Sequence, residues 1–416
     1  MSHATEVLLG LFIVFVAAQI GAEIAQRLKL PAVVGEIAAG CVVGSSVLGW
    51  VVVTRNGKTV NEPLEVLAEI GAVLLLFSVG LETRIGDLKK VGKVASIVGV
   101  LGVIVPFALG IAWAKWSGFD TPKAMFVAAA FVATSAGITA RVLQDLGALN
   151  RQVARVILGA AVIDDILAML LLGVVTALQG DKGVDVSQLA IIFVQAVGFV
   201  AVIALVGTKL MRRGSRVLDA PISPLSPLTL SLALCLGLAA AASYFGLAAI
   251  IGAFLAGMVA AESQQRHALE KQIQPIMAFL VPFFFVVTGT KVDLSQLASW
   301  PVLGSLLVVT LLATVGKMVG CGLGALSLGR NQALIIGVGM VPRGEVGIIV
   351  ASLGLTAGVF TNSTYAIIIA MSLLTSVIAP PVLGKLLQNE PPEKSETNDE
   401  YQPSQLTDVD ESGYSR

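Results

Sequence analysis

Apolar runs long enough to cross about 30 Å of hydrocarbon recur along this chain, separated by short stretches of charge, Pro and Gly. Breaking the chain at those interruptions predicts about thirteen spans, at 5–26, 31–53, 64–82, 92–116, 122–145, 152–178, 187–211, 228–244, 246–262, 272–290, 300–326, 332–357 and 363–387. The runs do not alternate apolar with polar residues as barrel strands would, so each reads as a helix. Past about Gln388 the apolar pattern stops, and Glu, Ser, Pro, Asn and Asp predict a disordered tail over 389–416.

Charge between the runs adds an orientation. Seventeen Lys and Arg residues fall in one set of alternate loops and six in the other. Because basic residues collect on the cytoplasmic side, this places the N-terminus outside and the C-terminus inside. Composition then excludes a soluble globule: 56% of the 416 residues are hydrophobic, 13% are charged, and the mean hydropathy is +0.88. A formal net charge of zero offers no basic face for nucleic acid. The 43 glycines and few aromatics fit helices in close contact through small residues. Cys41, Cys235 and Cys321 are too scattered for a disulfide framework or a metal site, and His3 and His267 have no ligand-spaced neighbours, so no cofactor is expected. The first run, from Val7 to Ala25, lacks a basic leader and a cleavage site and reads as a span.

Short matches point to an internal repeat. Ala32-Val-Val-Gly-Glu-Ile-Ala-Ala-Gly40 resembles Ala249-Ile-Ile-Gly-Ala-Phe-Leu-Ala-Gly257, and Leu74-Leu-Leu-Phe-Ser-Val-Gly80 resembles Phe283-Phe-Phe-Val-Val-Thr-Gly289. The matched spans are the second with the ninth and the third with the tenth. That odd offset requires the halves to enter the membrane in opposite orientations, a signature of secondary transporters.

The candidate chemistry lies at Asp164 and Asp165, side by side in the middle of the sixth span. A carboxylate at the bilayer centre costs several kcal/mol even on lenient scales, which marks the pair as functional. Lys317 and Arg343 are the two bases deep in spans. The fifth span is interrupted at Ala133-Thr-Ser-Ala-Gly137 and the twelfth at Val341-Pro-Arg-Gly-Glu-Val-Gly347, at corresponding places in the two halves. Pro342 and the glycines permit unwinding there, and broken helices aim orphan amides, carbonyls and half-helix dipoles at the midplane. Neighbouring residues on a helix point about 100° apart, so one Asp can line an aqueous funnel while the other turns to a cation such as Lys317. The carboxylates, the Thr134 and Ser135 hydroxyls and freed carbonyls are oxygen ligands suited to a hard cation such as Na⁺. Arg343 and Glu345 fit the neutralisation of broken-helix ends, and Glu36 fits a packing or gating residue.

Taken together, Ile157-Leu-Gly-Ala-Ala-Val-Ile-Asp-Asp165, Phe131-Val-Ala-Thr-Ser-Ala-Gly-Ile-Thr-Ala-Arg141, Val315-Gly-Lys317 and Val341 to Gly347 resemble the monovalent cation:proton antiporter superfamily. Within it they are most similar to the NapA-type sodium/proton antiporters. Pro31 to Gly40 and Gly80-Leu-Glu-Thr83 extend the resemblance over nearly all of residues 1 to 388. It implies an all-α polytopic fold of thirteen helices, an inverted-repeat antiporter fold with two broken crossing helices, acting as a homodimer in the lipid bilayer. It also implies a dimerisation domain over 1–90 and 221–295, a mobile core over 91–180 and 296–388, and a linker over 181–220. By the same likeness Asp165 carries the ion and the proton, Asp164 is bridged to Lys317, Thr134 sits at the helix crossing and Glu345 in the second break.

The expected activity is electrogenic exchange of Na⁺ or Li⁺ for H⁺ by an elevator movement, in a bacterial inner membrane, without enzymatic catalysis. A K⁺/H⁺ antiporter of the same fold is the nearest alternative. Kef-type potassium systems look similar, but they carry Gln before a single Asp and a large cytoplasmic nucleotide-binding domain. An intramembrane aspartyl protease needs its acids opposed across two helices, which neighbours on one helix cannot provide. A channel or an ion-sensing receptor on the same scaffold would not give steady transport that follows a pH gradient.

Overall fold

The computed structural model describes residues 3–55, 58–83, 85–177, 186–203, 207, 226–291 and 299–389. The tail expected over 389–416 falls outside these beyond Asn389, as does about half of the linker expected over 181–220. The elements are α1 (His3–Arg27), α2 (Ala32–Val43), a ladder of two-residue strands (Thr54–Arg55 with Lys58–Thr59), α3 (Glu62–Glu82), α4 (Ile85–Trp116), α5 (Thr121–Val132), α6 (Ala136–Asp145), α7 (Gln152–Ala177) and α8 (Val186–Val202). They continue with α9 (Ser226–Tyr244), α10 (Ala249–Ala260), α11 (Arg266–Thr290), α12 (Trp300–Gly324), α13 (Arg330–Gly339), α14 (Glu345–Thr356) and α15 (Asn362–Asn389). Among the described residues, nine segments are long and apolar enough to cross a membrane. The second expected span is shorter than its apolar run, because α2 stops at Val43 and Gly44-Ser-Ser turns the chain away.

Local chemistry accounts for the helix ends. Asn61 Oδ1 accepts from the Leu64 amide at the start of α3, and Pro63 occupies the first turn, where its missing N–H costs nothing. Pro122 and Pro301 do the same for α5 and α12. Along α12, Leu307, Leu311, Val315, Val319 and Leu323 recur every fourth residue and are exposed, while Ala313, Gly316, Lys317 and Gly320 are buried. One face therefore meets lipid and the other meets protein. Lipid tails are as apolar as leucine, so packing density rather than water exclusion holds such helices together.

Helix contacts fall into two groups. In the first, α3 packs on α10 and α11, α2 on α1 and α11, and α9 on α10. In the second, α4 packs on α5, α7 and α12, and α15 on α12 and α14.

The sequence repeat is visible in the packing. A Cβ placed on Gly80 would strike the Phe254 carbonyl and Gly257, and one placed on Gly289 would strike the Ile37 carbonyl and Gly40. The two contacts are related by the sequence matches, Gly80 corresponding to Gly289 and Gly257 to Gly40, so α3 meets α10 as α11 meets α2. Gly80→Val and Gly289→Val are each expected to destabilise the protein by about 1–3 kcal/mol or more, because rigid backbone on the facing helix cannot yield. Thermal unfolding in detergent measures the loss, with Gly304→Val, which has open space around it, as the neutral control.

Candidate functional site

Two of the expected spans are broken where they cross. One runs as α5, an extended segment at Ala133 to Ser135, and α6; the other as α13, an irregular segment at Met340 to Gly344, and α14. The breaks are stitched together: the Ser135 amide donates to the Pro342 carbonyl at 2.7 Å, and the Thr139 hydroxyl donates to the Gly339 carbonyl at 2.7 Å. Gly344 lies so close to Ser135 that a Cβ there would overlap its hydroxyl.

Breaking α5 leaves its last carbonyls without intrahelical donors, and two cations cover them. Lys317 Nζ donates to Val132 O at 2.7 Å, to Gly102 O at 2.9 Å and to Asp164 Oδ1 at 2.5 Å. Gly102 O is free because its helical partner four residues on is Pro106, which has no N–H. All three ammonium protons are thereby used. Arg343 spans both breaks, donating to Val341 O at 2.9 Å, Phe131 O at 2.5 Å and Ala313 O at 2.8 Å. Ser376 donates its hydroxyl to the Arg343 carbonyl. Positive charge against the C-terminal end of a half-helix also opposes that end's partial negative charge.

The adjacent acids have different surroundings. Asp164 and Lys317 are both completely buried. Asp164 also takes a side-chain hydrogen bond from the neighbouring Thr134, whose hydroxyl is buried with it. Asp165 turns the other way and borders a cavity of about 20 Å³ lined also by Leu76, Ala136 and Ile250, enough for about one water. That cavity lies between α7 and α6 on one side and α3 and α10 on the other, where the two helix groups meet. A second cavity, of about 280 Å³, separates α14 from α3 and α11 and is lined by Glu65, Glu69, Lys291, Ser352 and Thr356.

The structure thus brings Asp164, Asp165, Thr134, Ser135, Lys317 and Arg343 to one crossing. Glu345 opens α14 beside them, and its side chain lies outside the described residues. Glu36 is elsewhere, buried on α2 near Arg141 and Asp145 of α6. Residues that drew no attention in the sequence also matter here: Gly102 and Pro106 shape the lysine site. Proline within a span was a visible signal, although only the fold says which cation meets the carbonyl it frees.

A polytopic helical bundle with packed inverted repeats, two helices broken at their crossing, and buried acids and bases at that point is a secondary ion transporter. Comparison narrows the class. The family model described as "Sodium/hydrogen exchanger, transmembrane" matches residues 11–389, and the chain belongs to that family, within the monovalent cation:proton antiporter superfamily. The chain is 35% identical to the high-affinity Na⁺/H⁺ antiporter NhaS3 of Synechocystis, covering 93% of this chain and 92% of that one. It is 32% identical to the Na⁺/H⁺-K⁺ antiporter GerN of Bacillus cereus, covering 89% and 94%. The fold is shared with the sodium proton antiporter MjNhaP1 of Methanocaldococcus jannaschii, with a TM-score of 0.71 at 18% identity over 94% of this chain and 100% of that one.

Proposed function

We propose that this protein exchanges Na⁺ or Li⁺ for H⁺ across a membrane by elevator-type alternating access, with the ion and the proton competing for Asp165. The observation that carries the reading is the division of labour in the acid pair. Asp164 is sealed on Lys317, while Asp165 borders a cavity at the meeting of the two helix groups. Competition for one carboxylate couples the two fluxes without any further device, since an empty, charged site is costly to carry across hydrocarbon. Thr134 Oγ1 and the Asp164 carboxylate, buried side by side, are oxygen ligands of the kind a hard cation takes, and Ser135 stands at the same crossing. Arg343, with Glu345 beside it, neutralises the broken-helix ends.

In this reading α1 to α3 with α9 to α11 form the static, dimer-forming part, and α4 to α7 with α12 to α15 form the moving core. The molecule works as a homodimer of thirteen-span protomers in a bacterial inner membrane, N-terminus outside and C-terminus inside. Two carboxylates and an exchangeable lysine proton suffice to return two protons per cation, which makes the exchange electrogenic. The relation to a Na⁺/H⁺-K⁺ antiporter keeps K⁺/H⁺ exchange as the second reading. Proteoliposomes with an imposed pH gradient separate the two. Na⁺ and Li⁺ are expected to collapse the gradient and K⁺ to do so weakly; a K⁺ response equal to that of Na⁺ overturns the sodium assignment.

A further inference from the structure

The site is closed more firmly on one side than on the other. At the end of α3 that holds Glu82, the Gln144 side chain of α6 reaches across between the two helix groups. Its Nε2 donates to Ser78 Oγ at 3.0 Å and to Glu82 Oε1 at 3.1 Å. Glu82 is itself held from α11, since Arg266 donates to the Glu82 carbonyl at 3.2 Å. At the opposite end, the corresponding half-helix α14 stands back from α3 and α11 across the cavity of about 280 Å³.

The repeat makes this asymmetry specific. Gly80 and Gly289 are 209 residues apart, as are Ala136 and Glu345, the starts of α6 and α14. With that offset Ser78 corresponds to Val287, Glu82 to Lys291 and Gln144 to Leu353. Val287, Lys291 and Leu353 all line the open cavity, so the correspondence holds in space as well. None of the three can reproduce the bonds: valine and leucine have no polar group, and Lys291 donates to Glu65 at 2.8 Å instead.

We propose that Gln144, with Ser78 and Glu82, is a latch present in only one repeat, which biases the transporter toward the state closed on the Glu82 side. The inference rests on the alternating-access reading above. When α6 slides along α3 the latch opens, and the repeat-related positions Val287, Lys291 and Leu353 cannot form its bonds when α14 closes on the other side. A neutral amide suits a latch because it binds a carboxylate without burying a second charge, and such bonds are strong enough to bias an equilibrium yet weak enough to break in each cycle. Gln144 touches no ion in this scheme and acts by positioning α6.

Side-specific thiol labelling of the full-length protein in membrane vesicles tests it. Ala140 is fully buried on α6, one turn from both Gly137, which faces Leu76 of α3, and Gln144. A cysteine introduced by Ala140→Cys therefore reports opening on the Glu82 side, and Ser352→Cys reports the other cavity; the parent chain gives the background from Cys41, Cys235 and Cys321. With a membrane-impermeant maleimide on the Glu82 face, adding Gln144→Leu is expected to speed labelling at Ala140→Cys about tenfold. Labelling at Ser352→Cys from the opposite face should hold or fall. Unchanged labelling at Ala140→Cys overturns the latch, and so does acceleration at both positions, which reports general loosening. Ser78→Ala, which removes one bond and little bulk, is expected to give about a threefold effect and carries the test if Gln144→Leu does not fold. Gradient-driven exchange is measured separately, so absent transport with the labelling shift intact counts against the function and leaves the latch standing.

Discussion

Asp165→Asn is expected to reduce Na⁺- and Li⁺-driven collapse of a pH gradient to the background of empty vesicles. The substitution keeps the shape of the side chain and removes the charge, so neither a cation nor an exchangeable proton can be held there. Folding should survive: the ion pair that ties α12 to α7 runs through Asp164, and the wall that Asp165 shares with Ile250 and Leu76 keeps its volume. A thermal midpoint within a few degrees of the parent, together with absent exchange, is the expected pair of results. Residual exchange above one-tenth of the parent rate would show that another group carries the ion, and the first to examine would be Asp164, its neighbour on α7.

The acid pair was legible because the membrane makes charge informative. In a soluble protein two adjacent aspartates would pass unnoticed, whereas in the middle of α7 they demand an explanation. The breaks were legible for a related reason: Pro342 cannot donate, and the glycines beside it permit the turn. Span ends such as those of α3 and α12 follow from charge, Asn61 and the first-turn prolines, and the expected limits fall within a few residues of the helices. The second span was overextended because residues 45–53 are as apolar as a helix, and hydropathy does not register a turn at Gly44. The latch was not legible at all. Ser78, Gln144 and Glu82 are ordinary residues near span ends, and only the crossing of α6 and α3 gives them a common purpose. The repeat could have hinted at it, through a polar residue in one half standing where the other has leucine.

Lys317→Gln separates a structural lysine from a proton-carrying one. Removing the ammonium leaves Asp164 buried without its ion pair and withdraws a donor from Gly102 O and Val132 O. Breaking a buried pair from one side costs about 3–5 kcal/mol, so a drop of several degrees in the thermal midpoint is expected. Neutralising both partners in Asp164→Asn with Lys317→Gln should recover much of that loss, since no uncompensated charge then remains. Transport is the sharper readout. Asp165 is untouched, so exchange in Lys317→Gln should persist at a reduced rate. If the parent returns two protons per Na⁺ and one of them comes from Lys317, the variant moves one proton per Na⁺, and an imposed membrane potential should no longer change its rate. Voltage dependence that survives in a folded, active variant would assign both protons to the carboxylates and leave Lys317 as the fixed cap of α5.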